Sequence, residues 1–469
     1  MIDDLLNRSF VLAQADRIRR HLEQGPPEVS GRRGARPASE HREIEDDDRR
    51  TAIEMLSTSL SAEERRSSGQ RGFEAPPPRT RGRAAPDIDE VSFLSRDETL
   101  SNVQSALDQY YDEVEPESVT TVRPPTRGRR GGAEEVARSG RTLKRPPAKR
   151  RLLEQFGPTD IGWVSSVFAK GIRLFRRRHP FNGKPATPRP LANRARLYLF
   201  GDWGTGIPRA VKVSTEIRKR LPEGRAQGRE QHVIHLGDVY YSGWGREYEN
   251  RFLPHWPVAE SEANEIGSWS LNANHDMYSG GHGYYGTLLR DRRFRAHEGS
   301  SLFSLVHPRW RILGLDTGWD DAGLKDPQAK WVAEQGREAK QAGQKLLLLS
   351  HHQLFSAYED GAEAVRAKLR AVLDAGSVHS WIWGHEHRCM LYKPHGGLRF
   401  AACLGNGGVP VYMKHDEDDP LPAPADYEYR ERLREWALFG FAILDFDDDR
   451  VEMRLIDENG TEHRKTSIE

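Results

Sequence analysis

The chain has 469 residues, 36% hydrophobic and 30% charged, with a formal net charge of +1. That length allows two or three domains, while the mean hydropathy of −0.76 is too polar for one packed globule throughout. Two cysteines, Cys389 and Cys403, argue against a disulfide-stapled secreted scaffold and fit a reducing compartment. The N-terminal MIDDLLNRSF carries acids where an export signal needs positive charge. No run of about 18 apolar residues occurs, so a cytoplasmic protein without a transmembrane segment is expected.

The first 150 residues alternate between helical patches and Pro/Gly/Arg-rich stretches. Ile2, Leu5, Leu6, Phe10, Leu12, Ile18 and Leu22 recur at helical spacing over 2–23, and Gly25-Pro26-Pro27 ends the run. Short helices are expected near 50–66 and over 96–114, the latter with Leu100, Val103, Leu107 and Tyr110 on one face. Residues 25–50, 67–90 and 115–150 read as linker, and most of 1–150 lacks the apolar content for a core. The basic segment TRGRRGG…RTLKRPPAKRR is open to two readings, a solvated linker or a contact for nucleic acid or another anionic surface. The helical patches fit docking segments for a partner protein. Residues 151–192 form a second unit: Trp163, Val164, Val167, Phe168, Ile172 and Phe175 make an amphipathic helix over 160–178 with a basic end. Such a helix packs on the following domain or lies on a membrane surface.

From residue 193 to 469 strands and helices alternate, and after Arg388 only short strands follow, with a charged insertion over 413–436 expected to end in a short helix. This order suits two packed sheets with helices outside, a four-layer α/β/β/α sandwich.

The chemistry lies at the ends of apolar segments. Gly201-Asp202-Trp203-Gly204, Gly237-Asp238-Val239-Tyr240-Tyr241, Asn274-His275-Asp276, Ser350-His351-His352 and Gly384-His385-Glu386-His387 each follow such a segment. Buried strands deliver polar groups to the rim of a sheet in this way, where α/β folds place ligands. Hard oxygens and imidazoles without thiolate suit Fe, Mn, Zn or Mg. Two cations about 3.5–4 Å apart can hold a phosphoryl group and a nucleophilic hydroxide together. His235, inside a strand, reads as a core histidine, and Trp203, Asp316, Asn406 and Trp381 read as packing or loop-fixing residues.

The ordered set GDWG, GDxxY, NHD, H, GHxH resembles the calcineurin-like metallophosphoesterases, and more narrowly the purple acid phosphatase branch of tartrate-resistant type. The resemblance covers about residues 193–467. It implies the metallophosphoesterase fold, with Asp202, Asp238, Tyr241 and His387 on a first metal, Asp238 bridging, and Asn274, His351 and His385 completing a second. His275 would be the acid beside the leaving group. Gly204 stands where many members carry a metal-binding His, and Tyr241 stands where the purple branch places a tyrosinate, which favours Fe(III). Ala273 replaces a usual Gly, and His352-Gln353 replaces a common aromatic-Pro pair. His282, in a Gly-rich loop, and His352 are candidate substrate contacts.

The implied function is hydrolysis of phosphate monoesters on two metal ions (Fe, Mn or Zn) by attack of a metal-bound hydroxide. A second reading keeps the site and takes phosphodiesters such as cyclic nucleotides or nucleic acid. A third, of another class, makes the basic N-terminal region the working part of an adaptor with a protein or anionic partner.

Overall fold

Alternation along the strands sorts side chains into layers. In the strand Arg194–Phe200, Leu197 and Leu199 join one buried cluster while Tyr198 and Phe200 join another. In Lys345–Ser350, Leu347 and Leu349 share the first cluster, and Leu346 and Leu348 turn to a third. A strand apolar on both faces must be covered on both. The first cluster therefore lies between two sheets. The other two lie beneath outer helices, Pro208–Ala226 on one side and Gln328–Gln341 with Glu363–Asp374 on the other.

The chain threads β1 Arg189–Pro190, β2 Arg194–Phe200, β3 Glu230–His235, β4 Ile266–Ser270, β5 Phe303–Val306, β6 Trp310–Gly314, β7 Lys345–Ser350 and β8 Ser380–Trp383. It continues with β9 Cys389–Tyr392, β10 Phe400–Leu404, β11 Ala425–Glu428, a hairpin of β12 Arg432–Leu433 and β13 Trp436–Ala437, β14 Gly440–Asp447, β15 Arg450–Asp457 and β16 Glu462–Ile468. One sheet has the order β1-β5-β6-β7-β8-β10-β9-β11, the other β16-β15-β14-β2-β3-β4. Strands β2, β3 and β4 run parallel, as do β6, β7 and β8. All the motif-bearing turns therefore leave strand ends of the same polarity. This is the expected α/β/β/α sandwich of the metallophosphoesterase fold. Among the described residues the expected helix before Trp436 is not found: Ala425–Glu428 pairs with β9, and Arg432–Leu433 pairs with Trp436–Ala437.

The computed structural model describes residues 8–24, 46–67, 94–114, 161–175, 177–411, 420–433 and 436–469. The basic segment and most of the expected linkers lie outside the described residues, although 46–50 and 67 belong to a helix. Helices Arg8–Gln24, Asp46–Ser67, Glu98–Val114 and Ile161–Phe175 close on one apolar cluster, with Val11, Ile18, Leu56, Val103, Leu107, Phe168 and Ile172 at its centre. The described helical patches of this region thus share a core that none of them forms alone. Each stripe is narrow, but four stripes facing inward exclude water together. The helix Ile161–Phe175 turns its apolar stripe to these helices, and Gly171 lies close to Trp244 of the catalytic region. Among the described residues no helix is long and apolar enough to cross a membrane.

His297 ties the turn before β5 to β4. Its Nε2 accepts the Ser270 N–H at 3.0 Å, and its Nδ1–H donates to Ser300 O at 2.8 Å. Both bonds need the neutral ring, and burial lowers its pKa from 6.5 to about 4. Below the unfolded pKa of 6.5 the unfolded chain takes up a proton that the folded ring refuses, so stability is lost as pH falls towards 4. Urea midpoints at pH 7 and pH 4.5 should show a loss on the order of 3 kcal/mol from this group. The drop should be smaller in His297→Gln; an equal drop would assign the acid sensitivity elsewhere.

Candidate active site

Each motif turns out of its strand with a sharp backbone reversal. Asp202, Asp238, His385 and His387 all have positive φ, at 57°, 76°, 70° and 55°. Non-glycine residues hold that conformation only where the surroundings impose it. Here hydrogen bonds between the turns do so. Asp202 N–H donates to Gly237 O at 2.9 Å, Gly201 N–H to Leu404 O at 2.8 Å, and Gly384 N–H to His351 O at 3.0 Å. His385 N–H donates to Asp202 Oδ2 at 2.8 Å. Gly384 is required there, because a Cβ would come within 2.9 Å of the same carboxylate oxygen. Ala273 is accommodated in place of Gly because its backbone is extended, at φ −136°.

The turns bring Asp202, Asp238 and His387 together, and His351, His352 and His385 beside them; within each trio the donor atoms lie within 4.8 Å of one another. The trios meet at Asp238 and His351, 3.4 Å apart. His351 Nδ1–H donates to Leu236 O at 2.9 Å, which leaves Nε2 to face Asp238 and the site. Asn274 is buried; its Nδ2 donates to Tyr278 OH at 3.0 Å, and its Oδ1 has no hydrogen-bond partner. An orphaned buried carbonyl costs about 1–3 kcal/mol unless something binds it, and beside this donor set a cation would.

Charge tells the same story. Burial, then the Asp238 charge, pushes the Asp202 carboxyl well above its usual range against the pull of His351. Burial works the same way on Asp238, but His351 and His275 hold it well below. Burial opposes protonation of His351, yet Asp238 and Asp202 push its pKa up to about 9. Two buried carboxylates this close resist sharing full charge, and a polyvalent cation resolves that conflict.

The expected Tyr241 ligand is corrected. The phenol at the site belongs to Tyr240, whose oxygen lies 3.0 Å from Asp238 Oδ2, 3.0 Å from His387 Nε2 and 3.3 Å from Asp202 Oδ1. Tyr241 turns to the opposite side, into the outer cluster, with the Arg251 guanidinium 4.7 Å from its ring centroid. Both tyrosines lie in the turn that follows Val239, so the path of this turn, and not the spacing from Asp238, decided which of the two enters. His282 is likewise placed elsewhere: its Nε2 meets Arg177 O at 2.7 Å, and its ring lies edge-on to His179. His352 stays at the site, its Nδ1 3.0 Å from Thr317 Oγ1 and its ring 4.6 Å from that of His385. His275 lies against the Tyr240 ring at 4.5 Å; its N–H donates to Asp238 Oδ1 at 3.1 Å and its Nδ1–H to Tyr241 O at 2.7 Å.

His235 is a buried core histidine, packed against Phe200 and Phe252. Trp203 donates to Ala210 O, Trp381 to Ser350 Oγ, Asp316 accepts from Asn272 and the 318–319 amides, and Asn406 O accepts the Gly440 N–H. Sequence reasoning missed two supports. Asp276 accepts the Asp238 N–H at 3.1 Å and, held mostly by burial, has its pKa raised to about 8. Arg96, about a hundred residues upstream of the first motif, donates to His385 O at 3.3 Å. Asp276 was visible as the acid closing Asn274-His275-Asp276; nothing in the sequence pointed to Arg96.

Residues 195–389 match the family model for calcineurin-like phosphoesterases. The candidate metal-binding side chains of both trios all fall within this matched segment. No curated protein sequence matches the chain. Among solved structures it is similar to GAP50, the anchor in the inner membrane complex of Plasmodium, at 10% identity and a TM-score of 0.44 over 58% of this chain and 88% of that one. It is also similar to a dimetal phosphatase from Danio rerio, at 16% identity and a TM-score of 0.39 over 61% and 99%.

Proposed function

We propose that the protein hydrolyses phosphate monoesters at a dinuclear metal site. The observation that carries this reading is the convergence of Asp202, Asp238, His351, His385 and His387, together with the buried, unpartnered Asn274 Oδ1. Asp202, Asp238, Tyr240 and His387 would hold one cation, and Asp238, Asn274, His351 and His385 the other. Tyr240 takes the role expected of Tyr241, and a phenol beside Asp202, Asp238 and His387 supports a purple acid phosphatase-like arrangement with a hard, iron-compatible first site. When bound, such ions polarise phosphoryl oxygens and lower the pKa of water.

The chain's own groups do the rest. Asp238 is fixed at Oδ1 by the His275 amide and at its own N–H by Asp276. His275 is anchored through Nδ1 to the Tyr241 carbonyl, so its Nε2 is the nitrogen that can pass a proton to the leaving oxygen. A monoester brings one substituent to these buried side chains, whereas a diester must fit a second.

Turnover of an aryl phosphate by protein loaded with Fe, Mn or Zn is the test. Activity should depend on added metal, exceed that on the matching diester, and fall about 10²–10⁴-fold in His275→Ala with metal content unchanged. Preference for the diester would transfer the reading to phosphodiesters, and absence of turnover with every metal would end both.

A further inference from the structure

We infer that Arg96, supplied by the N-terminal helical unit, is a phosphate-binding residue of the active site, so that the site is a composite of this unit and the phosphoesterase domain. The inference rests on the phosphohydrolase reading above. Arg96 lies outside the segment that matches the family. It lies two residues before the helix Glu98–Val114, whose first turn is capped by Asp97 Oδ1 accepting the Leu100 N–H at 3.0 Å.

A polar seam sets that helix on the catalytic turns. Ser105 Oγ donates to Glu247 Oε1 at 2.7 Å, and Asn102 Nδ2 donates to Tyr278 O at 3.1 Å while its Oδ1 accepts from Trp244 Nε1 at 3.2 Å. Asp108 pairs with Arg251 at 2.5 Å. The Arg96 carbonyl accepts from Tyr278 OH at 2.8 Å, and Tyr278 OH in turn accepts from Asn274. The backbone of Arg96 is therefore only one side chain away from an expected metal ligand.

Its guanidinium reaches over the mouth. Nη2 donates to the carbonyl of His385, and Nη1 lies 3.1 Å from both Glu359 carboxylate oxygens. The side chain remains 42% exposed. A planar guanidinium beside these candidate metal ligands suits a bidentate phosphate contact, with Glu359 as the carboxylate that the phosphate replaces.

Binding of inorganic phosphate to the metal-loaded full chain, followed by calorimetry, decides it. Arg96→Gln should raise the phosphate Kd and the KM for an aryl phosphate about 10-fold or more, with unchanged metal content and far-UV dichroism. Arg96→Lys should recover part of the loss. Glu359→Gln, which removes the competing carboxylate, should tighten phosphate binding about twofold or more. An unchanged Kd in Arg96→Gln, equal weakening in Arg96→Gln and Glu359→Gln (a docking latch), or faster turnover without Arg96 (a self-blocking side chain) would each overturn the inference while leaving the phosphatase standing. Wild-type protein that binds metal but neither binds phosphate nor hydrolyses the ester would remove both readings.

Discussion

Asp238→Asn is expected to lose metal-dependent turnover by at least about 100-fold and to retain at most one tightly held ion. The side chain sits where both trios meet, 3.4 Å from His351. The amide keeps the shape: its oxygen can still accept the His275 N–H, so the fold should persist and the defect should appear in metal stoichiometry. Mass-spectrometric metal analysis beside aryl phosphatase kinetics checks this, and full occupancy with unimpaired turnover would deny Asp238 its bridging place. In the same assay Tyr240→Phe should weaken metal retention and turnover, whereas Tyr241→Phe should match the parent in both, because only the first phenol reaches the carboxylates.

Asp445→Asn should destabilise the protein by about 3–5 kcal/mol without touching the site. Asp445 on β14 lies directly opposite Arg196 on β2, and both are buried. Arg196 Nε donates to Oδ1 at 2.6 Å and Nη2 to Oδ2 at 2.8 Å, while Arg454 Nη2 reaches Oδ2 at 3.1 Å. The amide can answer only one oxygen's worth of these donors and carries no charge, so Arg196 becomes a buried cation without its partner. Asp202 leaves the other end of β2, so metal content and turnover below the transition should be preserved. A shift of the urea midpoint measures the loss. Arg196→Met combined with Asp445→Leu should lose much less than Asp445→Asn alone, since removing both charges spares the desolvation penalty. Equal losses would mean that packing, not charge, is at stake.

The sequence by itself determined the order of the main strands and outer helices over 193–404 and the chemical identity of most candidate ligands. Apolar strand cores and the glycines and acids that end them are local patterns, and parallel strands oblige their like ends to meet. That is why Asp202, Asp238, Asn274, His351, His385 and His387 were legible before any coordinate. Only the tertiary structure decided between Tyr240 and Tyr241, because the choice hangs on the backbone angles of one turn, held by contacts from other turns. It alone turned His282 away towards Arg177, since a Gly-rich loop does not fix its own direction. It alone gathered four narrow apolar stripes in the first 175 residues into a core and set Arg96 over the mouth of the site. Burial is a property of surfaces that meet across the chain, and a stripe read by itself carries no record of the face that will cover it.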